Sequence, residues 1–433
     1  MKTIRVITLG CSKNTVDTEH LLAALPADDF RVINEGRPDY LLYNTCGFIG
    51  DAKEESVNAV LEGVEAKKRG EAGKVVVFGC LSQRYSAEMP GLIPEVDAWF
   101  GARDLNPLLR YLGAPASRLV RRFQETRRPY AYLKISEGCD RRCSYCAIPF
   151  IRGAHRSVPM EDLVEEAAQL ASEGVKELIL IAQDTTWYGL DLYGHRALAG
   201  LLERLSHVDG IESLRVHYSY PADFPDDVLD VMASNPKVCK YLDIPLQHIS
   251  DKVLSNMHRH IDGDATRALV ARFRERVPGL VLRTTMIVGH PGEGPEEFAE
   301  LLDFVRQARF ERLGAFTYSE EDGTWGAAHL KDSVPEEVKR MRLEELMSLQ
   351  ADISRSFNQS RVGSIERVLV DDVSGGMLVC RSSSESPEVD GEILVDISGA
   401  SGIAAQDPSS LVGRYINVRI TAADIYDLAA VPI

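Results

Sequence analysis

The sequence lacks long apolar runs, has few cysteines and carries no excess of basic residues. No stretch approaches the roughly 20 uncharged apolar residues that cross a bilayer, so we expect no membrane association and a cytoplasmic location. The 8 cysteines are too few for a disulfide scaffold and favour reduced thiols that bind metal or act in catalysis. A net charge of -16, from 49 Lys and Arg against 65 Asp and Glu, argues against an overall field that attracts nucleic acid.

The sequence does contain enough apolar material for several folded cores. Hydrophobic residues make up 45% of it and charged residues 26%, which is typical of globular proteins and excludes a mostly disordered chain. Because single hydrophobic cores stop growing at roughly 250 to 300 residues, a chain of 433 residues predicts two or three domains.

Residues 1–115 alternate short apolar strands with helical segments. The strands IRVITLGC, YLLYNTC and VVVFGC are each followed by a run with helical character. This alternation predicts an N-terminal domain, residues 1–115, that contains a parallel α/β sheet with helices on its faces. Residues 114–129 lose the periodicity and contain five arginines, which predicts a linker or a seam between domains.

A second series of strands and helices extends over residues 130–360. Its apolar strands are predicted at 130–136, 177–183, 213–219, 241–247, 280–289 and 312–319. Six βα units are too few for a closed eight-stranded barrel and predict a partial (βα)6 barrel, whose chemistry lies at the C-terminal ends of its strands. A charged helix over residues 335–360 follows the last strand.

Residues 363–433 show a third pattern, in which short strands are separated by Gly, Ser and Pro. The predicted strands are SIERVLVDDV, GMLVCRSS, GEILVDIS and RYINVRIT. This pattern predicts a small all-β barrel of the OB type. The predicted fold class is therefore α/β, with an N-terminal parallel α/β sheet, a central partial barrel and a C-terminal β-barrel.

Three of the cysteines lie in the segment GCDRRCSYC, directly after the first strand of the predicted partial barrel. Cys139, Cys143 and Cys146, the barrel trio, have the spacing C-x3-C-x2-C, which suits a loop wrapped around one iron-sulfur cluster or metal ion. A structural zinc site is the alternative, but zinc takes four ligands in such sites and the next Cys or His is His155. A four-iron cluster on three thiolates leaves one iron free to bind a substrate or cofactor, and the spacing favours this interpretation.

Cys11, Cys46 and Cys80, the N-terminal trio, form no short motif, but each follows an apolar strand of the N-terminal domain. Ligands of open α/β sheets gather at the carboxyl ends of the strands, so we expect the three thiols to converge on a second cluster. The alternative is that they are buried cysteines acting as small apolar side chains. Cys239 and Cys380 have no partner at a suitable spacing and are predicted to be ordinary buried or half-buried thiols.

The segment GCDRRCSYC resembles the signature of radical S-adenosylmethionine (SAM) enzymes, in which an aromatic residue, here Tyr145, precedes the last cysteine. The whole chain resembles the methylthiotransferases of that superfamily, which join a three-cysteine N-terminal domain, a radical SAM partial barrel and a C-terminal TRAM domain. We therefore expect domain boundaries at 1–115, 130–360 and 363–433.

Four segments are similar to the RimO branch of that family: KISEGCDRRCSYCAIPFIRG, AQDTTWYG (182–189), YLDIPLQH (241–248) and IYDL (425–428). The likeness implies methylthiolation of the β-carbon of an aspartate in small-subunit ribosomal protein twelve, either free or on the ribosome. The alternative is the MiaB-like branch, which modifies an adenosine of tRNA.

The charge of the terminal domain bears on this choice of substrate. From residue 363 onward, eleven acidic residues stand against four arginines, which gives a net charge of −7. A barrel that binds nucleic acid needs a positive groove with stacking aromatic residues. The acidic balance favours a basic protein partner over a direct tRNA substrate, and the alternative is that it only keeps the surface soluble.

The resemblance also implies the cofactors, which are two 4Fe-4S clusters and SAM. SAM serves both as the methyl donor and, through the cluster on the barrel trio, as the source of a 5′-deoxyadenosyl radical, while the auxiliary cluster on the N-terminal trio carries the sulfur. No catalytic side chain is predicted, because an unactivated β-hydrogen is not acidic enough for a side-chain base at neutral pH. An electron donor such as a flavodoxin or ferredoxin is the further implied partner.

Five residues are candidate SAM contacts by the same resemblance. Tyr145 lies near the expected adenine pocket, and Gln183 and Asp184 end the second strand, where the family holds the SAM amino group. Gln247 and Gly289 end later strands and are candidates for the ribose and adenine side. A structural role at a strand end is the alternative for each.

Two arginines directly after the cysteine loop, Arg152 and Arg156, are candidates to bind the SAM carboxylate or the substrate aspartate. The alternative is a solvated basic loop. The sequence departs from the family's pattern at His290 in GHPGEG (289–294), where an aromatic residue is usual, and at Val158 in RSVP, where arginine is often found. These departures leave the predicted cluster ligands unchanged and concern the finer substrate contacts.

Overall fold

The computed structural model describes residues 1–398 and 407–433. Residues 399–406, which fall within the predicted terminal domain, lie outside the described residues. In the described ranges no helix combines the length and the apolar character needed to cross a membrane.

The N-terminal unit is a parallel sheet between two layers of helices. Its strands, in the spatial order β2-β1-β3-β4-β5, are β1 Lys2–Thr8, β2 Phe30–Val32, β3 Tyr40–Thr45, β4 Lys74–Gly79 and β5 Ala98–Trp99. Its helices are α1 Ser12–Ala23, α2 Gly50–Lys68, α3 Cys80–Arg84, α4 Met89–Leu92 and α5 Asn106–Leu112. Successive strand residues point to opposite faces, so Leu42 and Val76 pack against α1 and α5, whereas Leu41 and Val77 pack against α2. The predicted parallel α/β sheet is confirmed.

The central unit is an open parallel sheet with helices on its outer face. Its strands are β6 Tyr130–Lys134, β9 Glu177–Ile181, β10 Ser213–Val216, β11 Val238–Asp243, β12 Val281–Val288 and β13 Arg312–Thr317, and β7 Ser136–Glu137 pairs separately with β8 Arg156–Ser157. The spatial order is β13-β12-β11-β10-β9-β6. The helices are α6 Ile148–Ile151, α7 Met160–Ser172, α8 Leu190–Tyr193, α9 Leu198–Ser206, α10 Asp226–Ser234, α11 Asp251–Asn256, α12 Gly263–Arg276, α13 Pro295–Ala308, α14 Trp325–His329 and α15 Glu336–Ser360.

The predicted partial barrel is confirmed, and its two faces have different partners. Leu178, Leu214 and Leu282 belong to the large core that the sheet forms with α7, α9, α10, α12 and α13. The alternate residues point to the opposite, inner face, where charged side chains such as Glu177 and Arg215 are buried. Neighbouring strands are parallel and in register, and Arg215 Nε donates to Glu177 of the adjacent strand at 2.8 Å.

The terminal unit is a closed β-barrel over the described part of residues 365–432. Its strands are β14 Ile365–Ser374, β15 Met377–Arg381, β16 Ile393–Val395, β17 Tyr415–Ala423 and β18 Leu428–Pro432. The predicted barrel is confirmed, but β18 was missing from the predicted strands. It pairs in parallel with β16 and antiparallel with β17, and so closes the barrel around the buried thiol of Cys380.

The segment 382–390 between β15 and β16, which we call the inner segment, enters the inner face of the central sheet. It contacts strands at both edges and in the middle of that sheet. The contacts are Tyr132 Oη to Glu388 at 2.9 Å, Arg215 Nη1 to Ser383 O at 2.9 Å, His217 Nε2 to Ser386 Oγ at 2.9 Å, Tyr241 Oη to Asp390 at 2.6 Å and Arg312 Nη2 to Glu385 at 2.9 Å. The inner segment therefore spans the inner face of the central sheet from β6 to β13.

These contacts change the interpretation of the acidic terminal domain. Glu385 is buried and pairs with Arg312 and Arg361, and Asp390 lies 3.7 Å from Arg283. This part of the −7 charge joins the barrel to the rest of the chain. It gives no support to the expectation of a basic partner on the barrel surface.

The segment 114–129, predicted as a linker or seam, is fixed between the first two units. Arg122 is buried and donates to Glu19 of α1 at 2.8 Å, to Glu166 of α7 at 2.8 Å and to the carbonyl oxygen of Tyr132 at 2.7 Å. The N-terminal unit is thus held against the central sheet, and α1 places Val16 on the apolar part of the inner face.

Candidate active site

The barrel trio lies in a loop that folds back on the chain downstream of it. The backbone N–H of Cys139 donates to the carbonyl oxygen of Gly153 at 3.0 Å. Gly138 has φ +76°, and a Cβ there would lie 2.1 Å from the carbonyl oxygen of Ala154. Only glycine fits so close to the carbonyl oxygen of Ala154. The loop therefore requires the glycine that directly precedes Cys139.

The thiols of the barrel trio are near neighbours. Burial raises the pKa of Cys139 to about 12, and the Cys143 thiol contributes in the same direction. Burial likewise raises the pKa of Cys146, with contributions from Cys143 and Cys139. Such thiols ionise only beside a strong positive charge, and Arg259 already donates to Cys143 Sγ at 3.4 Å.

The N-terminal trio comes together at the ends of β1, β3 and β4, which are adjacent in the sheet. A Cβ on Gly10 would lie 3.1 Å from Cys46 Sγ, so the turn before Cys11 passes directly over Cys46. Burial raises the pKa of Cys80 to about 12, and the Cys11 and Cys46 thiols add to the effect. The three thiols therefore lie within electrostatic reach of one another.

The donor sets fit clusters better than a single metal ion. Across residues 1–398 and 407–433, no three Cys, His, Asp or Glu side chains converge as ligands of one ion, as a structural zinc site requires. A multi-iron cluster offers a separate iron to each thiolate, so it needs spaced thiols. His155, the possible fourth zinc ligand, has its Nε2 3.1 Å from Ser157 Oγ.

The two trios adjoin each other through the chain that follows the cysteine motif. Cys80 packs against Ala147 and Ile151. Arg152 extends this contact, because its Nε donates to Cys80 Sγ at 3.2 Å and its Nη2 donates to Asn14 at 2.6 Å. Both sets of thiols therefore border one region between the N-terminal and central units.

Arg152 is committed to protein partners at this junction. It is 2% exposed, and its Nη1 lies 2.7 Å from Asp17 and 3.1 Å from Glu137. Burial disfavours ionisation of Glu137, but Lys134 and Arg152 outweigh it and lower the pKa of that carboxyl. Arg152 is thus not part of a solvated loop, whereas Arg156 on β8 is exposed.

The candidate SAM contacts at the end of β9 divide between occupied and unpartnered groups. Asp184 accepts from Arg141 Nε at 2.9 Å and from the backbone N–H of Thr186 at 2.9 Å. Gln183 donates to Glu137 at 2.8 Å. Its Oε1 and the Oε1 of Gln247 are buried and lack a partner among the described residues. Two buried acceptors at the ends of strands are therefore available to a donor from a ligand.

The remaining candidates lie on the far side of the same region. The Tyr145 hydroxyl accepts from Arg259 Nη1 at 3.5 Å, and its ring stands edge-on to His290 at 6.3 Å. Burial lowers the pKa of His290 to about 4, so the ring is neutral and packs in place of the usual aromatic residue. Gly289 has φ +76°, and a Cβ there would lie 2.3 Å from Lys339 Cγ.

Sequence reasoning missed a stack of two guanidinium groups beside the barrel trio. Arg141 lies 4.0 Å from the Tyr220 ring and 4.1 Å from the Trp187 ring, and Arg259 lies 4.2 Å from the same Tyr220 ring. Arg141 is inside the cysteine motif and could have been singled out there. Arg259 is 113 positions beyond Cys146, and no sequence signal joins them.

Comparison with known proteins agrees with this arrangement. Residues 133–305 match the radical SAM superfamily, residues 3–101 match the uncharacterized protein family UPF0004, and residues 362–433 match the TRAM domain. A similar solved structure is that of TsrM, a radical SAM methyltransferase of Kitasatospora setae with cobalamin and a [4Fe-4S] cluster bound. The match covers 95% of this chain and 84% of TsrM, with a TM-score of 0.59 and 15% sequence identity. That likeness concerns the fold alone. The fold and site thus define a radical SAM enzyme with a TRAM domain.

Relatives with the same arrangement over the full length give the family. The ribosomal protein uS12 methylthiotransferase RimO of Porphyromonas gingivalis is 51% identical over 432 residues, and that of Phocaeicola vulgatus is 48% identical over 433 residues. Each alignment covers 99% of this chain and 98% of the relative. The chain belongs to the RimO family of methylthiotransferases.

Proposed function

We propose that this chain is a radical SAM enzyme that adds a methylthio group to the β-carbon of an aspartate in ribosomal protein uS12. The observation that carries the proposal is the identity of 48% and 51%, over nearly the whole chain, to relatives named for that activity. The two adjoining cysteine trios support it, because the reaction needs one cluster for SAM and one for sulfur. Predicted boundaries at 1–115, 130–360 and 363–433 remain the proposed domain division.

In this proposal the barrel trio holds the cluster that binds SAM, and the N-terminal trio holds the auxiliary cluster. When bound, these groups supply a 5′-deoxyadenosyl radical, a sulfur atom and a methyl group. The protein contributes ligation, orientation and exclusion of water. Its thiols must give up their protons to do so, which the burial described above makes unfavourable until iron is present.

Two arginines support the ligands from outside. Arg259 donates to Cys143 Sγ at 3.4 Å, and Arg152 donates to Cys80 Sγ at 3.2 Å. An N–H donor to a ligating sulfur fixes its orientation and alters the electronic properties of the metal site. Each trio therefore has a guanidinium that donates to one of its sulfur atoms.

The SAM contacts follow from which polar groups lack partners. The amide oxygens of Gln183 and Gln247 are the acceptors proposed for the SAM ammonium and ribose hydroxyl groups. Asp184 acts through Arg141, because it accepts a hydrogen bond from Arg141 Nε at 2.9 Å. Tyr145 and the glycine turn at Gly289 are proposed to border the adenine.

The finer partners are proposals on the same basis. The substrate is ribosomal protein uS12, either free or in the ribosome, in the cytoplasm where ribosomes assemble and work. One electron per turnover comes from a donor such as a flavodoxin or ferredoxin. No membrane and no direct tRNA substrate enter this proposal.

The deciding experiment is mass spectrometry of uS12 and of bulk tRNA from a strain that lacks this gene. We expect the aspartate of uS12 to lose its methylthio group while methylthioadenosine in tRNA stays unchanged. Loss of the tRNA modification with an unchanged uS12 mass would establish the MiaB-like alternative. Reconstituted protein with SAM and dithionite is expected to release 5′-deoxyadenosine, and its absence would exclude the radical mechanism.

A further inference from the structure

Lys13 is a buried cation whose charge is not balanced by a nearby carboxylate. It lies in the first turn of α1, two residues after Cys11, and is 8% exposed. The neighbouring cations Lys134 and Arg152 pair with Asp17 and Glu137. Within the described residues Lys13 Nζ has no such partner, and it lies over the ring of an aromatic residue.

That ring is Tyr218, whose centroid lies 2.9 Å from Lys13 Nζ. Tyr218 follows β10 and has φ +57°, a left-handed conformation that is strained for tyrosine. Its backbone N–H donates to Asp243 at 2.9 Å, and its carbonyl oxygen accepts from the N–H of Thr185 at 3.1 Å. Strain held in place by its surroundings is concentrated at functional sites, and here it places the ring beneath the ammonium.

The ring alone does not satisfy the cation. A cation–π contact attracts the charge but accepts none of the three N–H donors of a lysine. The carboxylate near the ring is already used, because Asp243 lies 2.9 Å from Arg283. A buried cation of this kind is stabilised by an anion that arrives from outside.

The position of Lys13 limits what that anion is. Cys11 of the N-terminal trio is next but one in sequence, and Tyr218 lies at the C-terminal end of a central strand, on the same side as the barrel trio. The inner segment contacts the residue before Tyr218, since Ser386 Oγ lies 2.9 Å from His217 Nε2. An anion at Lys13 therefore lies in the region that both trios border.

We propose that Lys13 Nζ binds the carboxylate of the aspartate that is modified, and that this contact selects an acidic side chain over a neutral one. The inference rests on the proposed function. The carboxylate is one bond from the β-carbon, so a charge-assisted hydrogen bond to it also orients the carbon–hydrogen bond to be replaced. A neutral adenine offers no carboxylate to this cation.

The test compares two peptides with the holoenzyme carrying both clusters. The peptides span the modified site of uS12 and contain either aspartate or asparagine there. The variants are Lys13→Met, Lys13→Gln and the control Lys68→Met, which removes an exposed lysine of α2 that pairs with Glu65. Peptide binding is measured by fluorescence anisotropy, and methylthiolation, iron content and 5′-deoxyadenosine are measured on the same samples.

We expect the unaltered protein and Lys68→Met to bind the aspartate peptide roughly 10- to 100-fold more tightly than the asparagine peptide, the range of one charged hydrogen bond. In both Lys13 variants this ratio falls to about 1 to 3, because the asparagine peptide binds nearly as well as before. Iron content and 5′-deoxyadenosine formation are expected to persist. If Lys13→Met loses iron, Lys13→Gln supplies the same test, because it keeps a polar side chain at this position.

Three results overturn the inference, and they are distinguishable. If a Lys13 variant keeps the full preference for the aspartate peptide over the asparagine peptide, Lys13 does not bind the carboxylate. Loss of 5′-deoxyadenosine with the preference intact assigns Lys13 to SAM. If the unaltered protein neither binds nor modifies the peptide while still cleaving SAM, the proposed function fails, and the role of Lys13 fails with it.

Discussion

Replacement of Glu385 by glutamine is expected to loosen the terminal barrel from the central sheet. Glu385 is buried and accepts from Arg312 Nη2 at 2.9 Å and from Ser382 Oγ at 2.7 Å, and it also pairs with Arg361. Burial opposes its charge, but the two arginines outweigh burial and lower its pKa from 4.5 to about 2. That difference of about 2.5 corresponds to roughly 3 kcal/mol, at 1.36 kcal/mol for each pKa unit.

This contribution has a defined pH window. A carboxyl whose pKa is lower in the folded protein stabilises it fully above the unfolded value, and the contribution is lost as the pH falls through the folded value. For Glu385 the contribution is therefore present above about 4.5 and is lost as the pH falls through about 2. Glutamine does not titrate, so Glu385→Gln is expected to lose the contribution at neutral pH and to lack this part of the pH dependence.

The buried thiol of Cys380 in the barrel core gives the assay. Its reaction with a dithiodipyridine, followed by mass spectrometry of the labelled peptide, measures the population of the opened barrel when closing is fast. We expect Glu385→Gln to raise that population roughly 100-fold at pH 7. The control Asp352→Asn breaks an exposed pair with Arg355 at 3.0 Å and is expected to change it less than about fivefold.

A change below about fivefold in Glu385→Gln would refute the reasoning, because the carboxylate would then contribute no more than a surface charge. An unchanged dependence on pH between about 4.5 and 2 would refute the assignment to Glu385 even if the barrel loosened.

Three further predictions concern the site. Cys80→Ser is expected to lower iron from about eight to about four per chain while 5′-deoxyadenosine formation persists; unchanged iron would mean that the N-terminal trio holds no cluster. Arg152→Met is expected to destabilise the junction by about 3 to 5 kcal/mol in urea unfolding of the apoprotein, with a smaller loss in Arg152→Lys, and equal losses would contradict a role for its charge. Gln183→Leu is expected to weaken SAM binding roughly tenfold in equilibrium dialysis, whereas unaltered affinity would exclude its amide as a SAM acceptor.

The sequence was sufficient to predict the cysteine-bearing frame. Parallel strands give apolar runs of recognisable length, and each cysteine of the N-terminal trio stands at the end of such a run. Because the carboxyl ends of parallel strands share one edge, the pattern alone predicts that the three cysteines gather at that edge. The pattern does not predict the sheet order or the closeness of the two trios, because both depend on side chains far apart in sequence.

The parts that were missed have physical reasons. β18 contains two alanines and ends in proline, residues of low strand propensity, and it is held by its neighbours in the barrel. The inner segment SSSESPEVD has the composition of an exposed loop, yet the carboxylates of Glu385 and Asp390 are buried beside arginines of other parts of the chain. Arg152 was a candidate for an external carboxylate because its internal partners, Asp17 and Asn14, are more than 130 positions away.

The inner segment joins the terminal barrel to the central sheet, and it also closes the inner face of that sheet beneath the strand ends. Tyr218 at the strand ends directly follows His217, whose Nε2 lies 2.9 Å from Ser386 Oγ. Burial lowers the pKa of that histidine to about 3, so its ring is neutral where it contacts the inner segment. The packing of the inner segment against the strands therefore limits how far a bound side chain extends into the sheet.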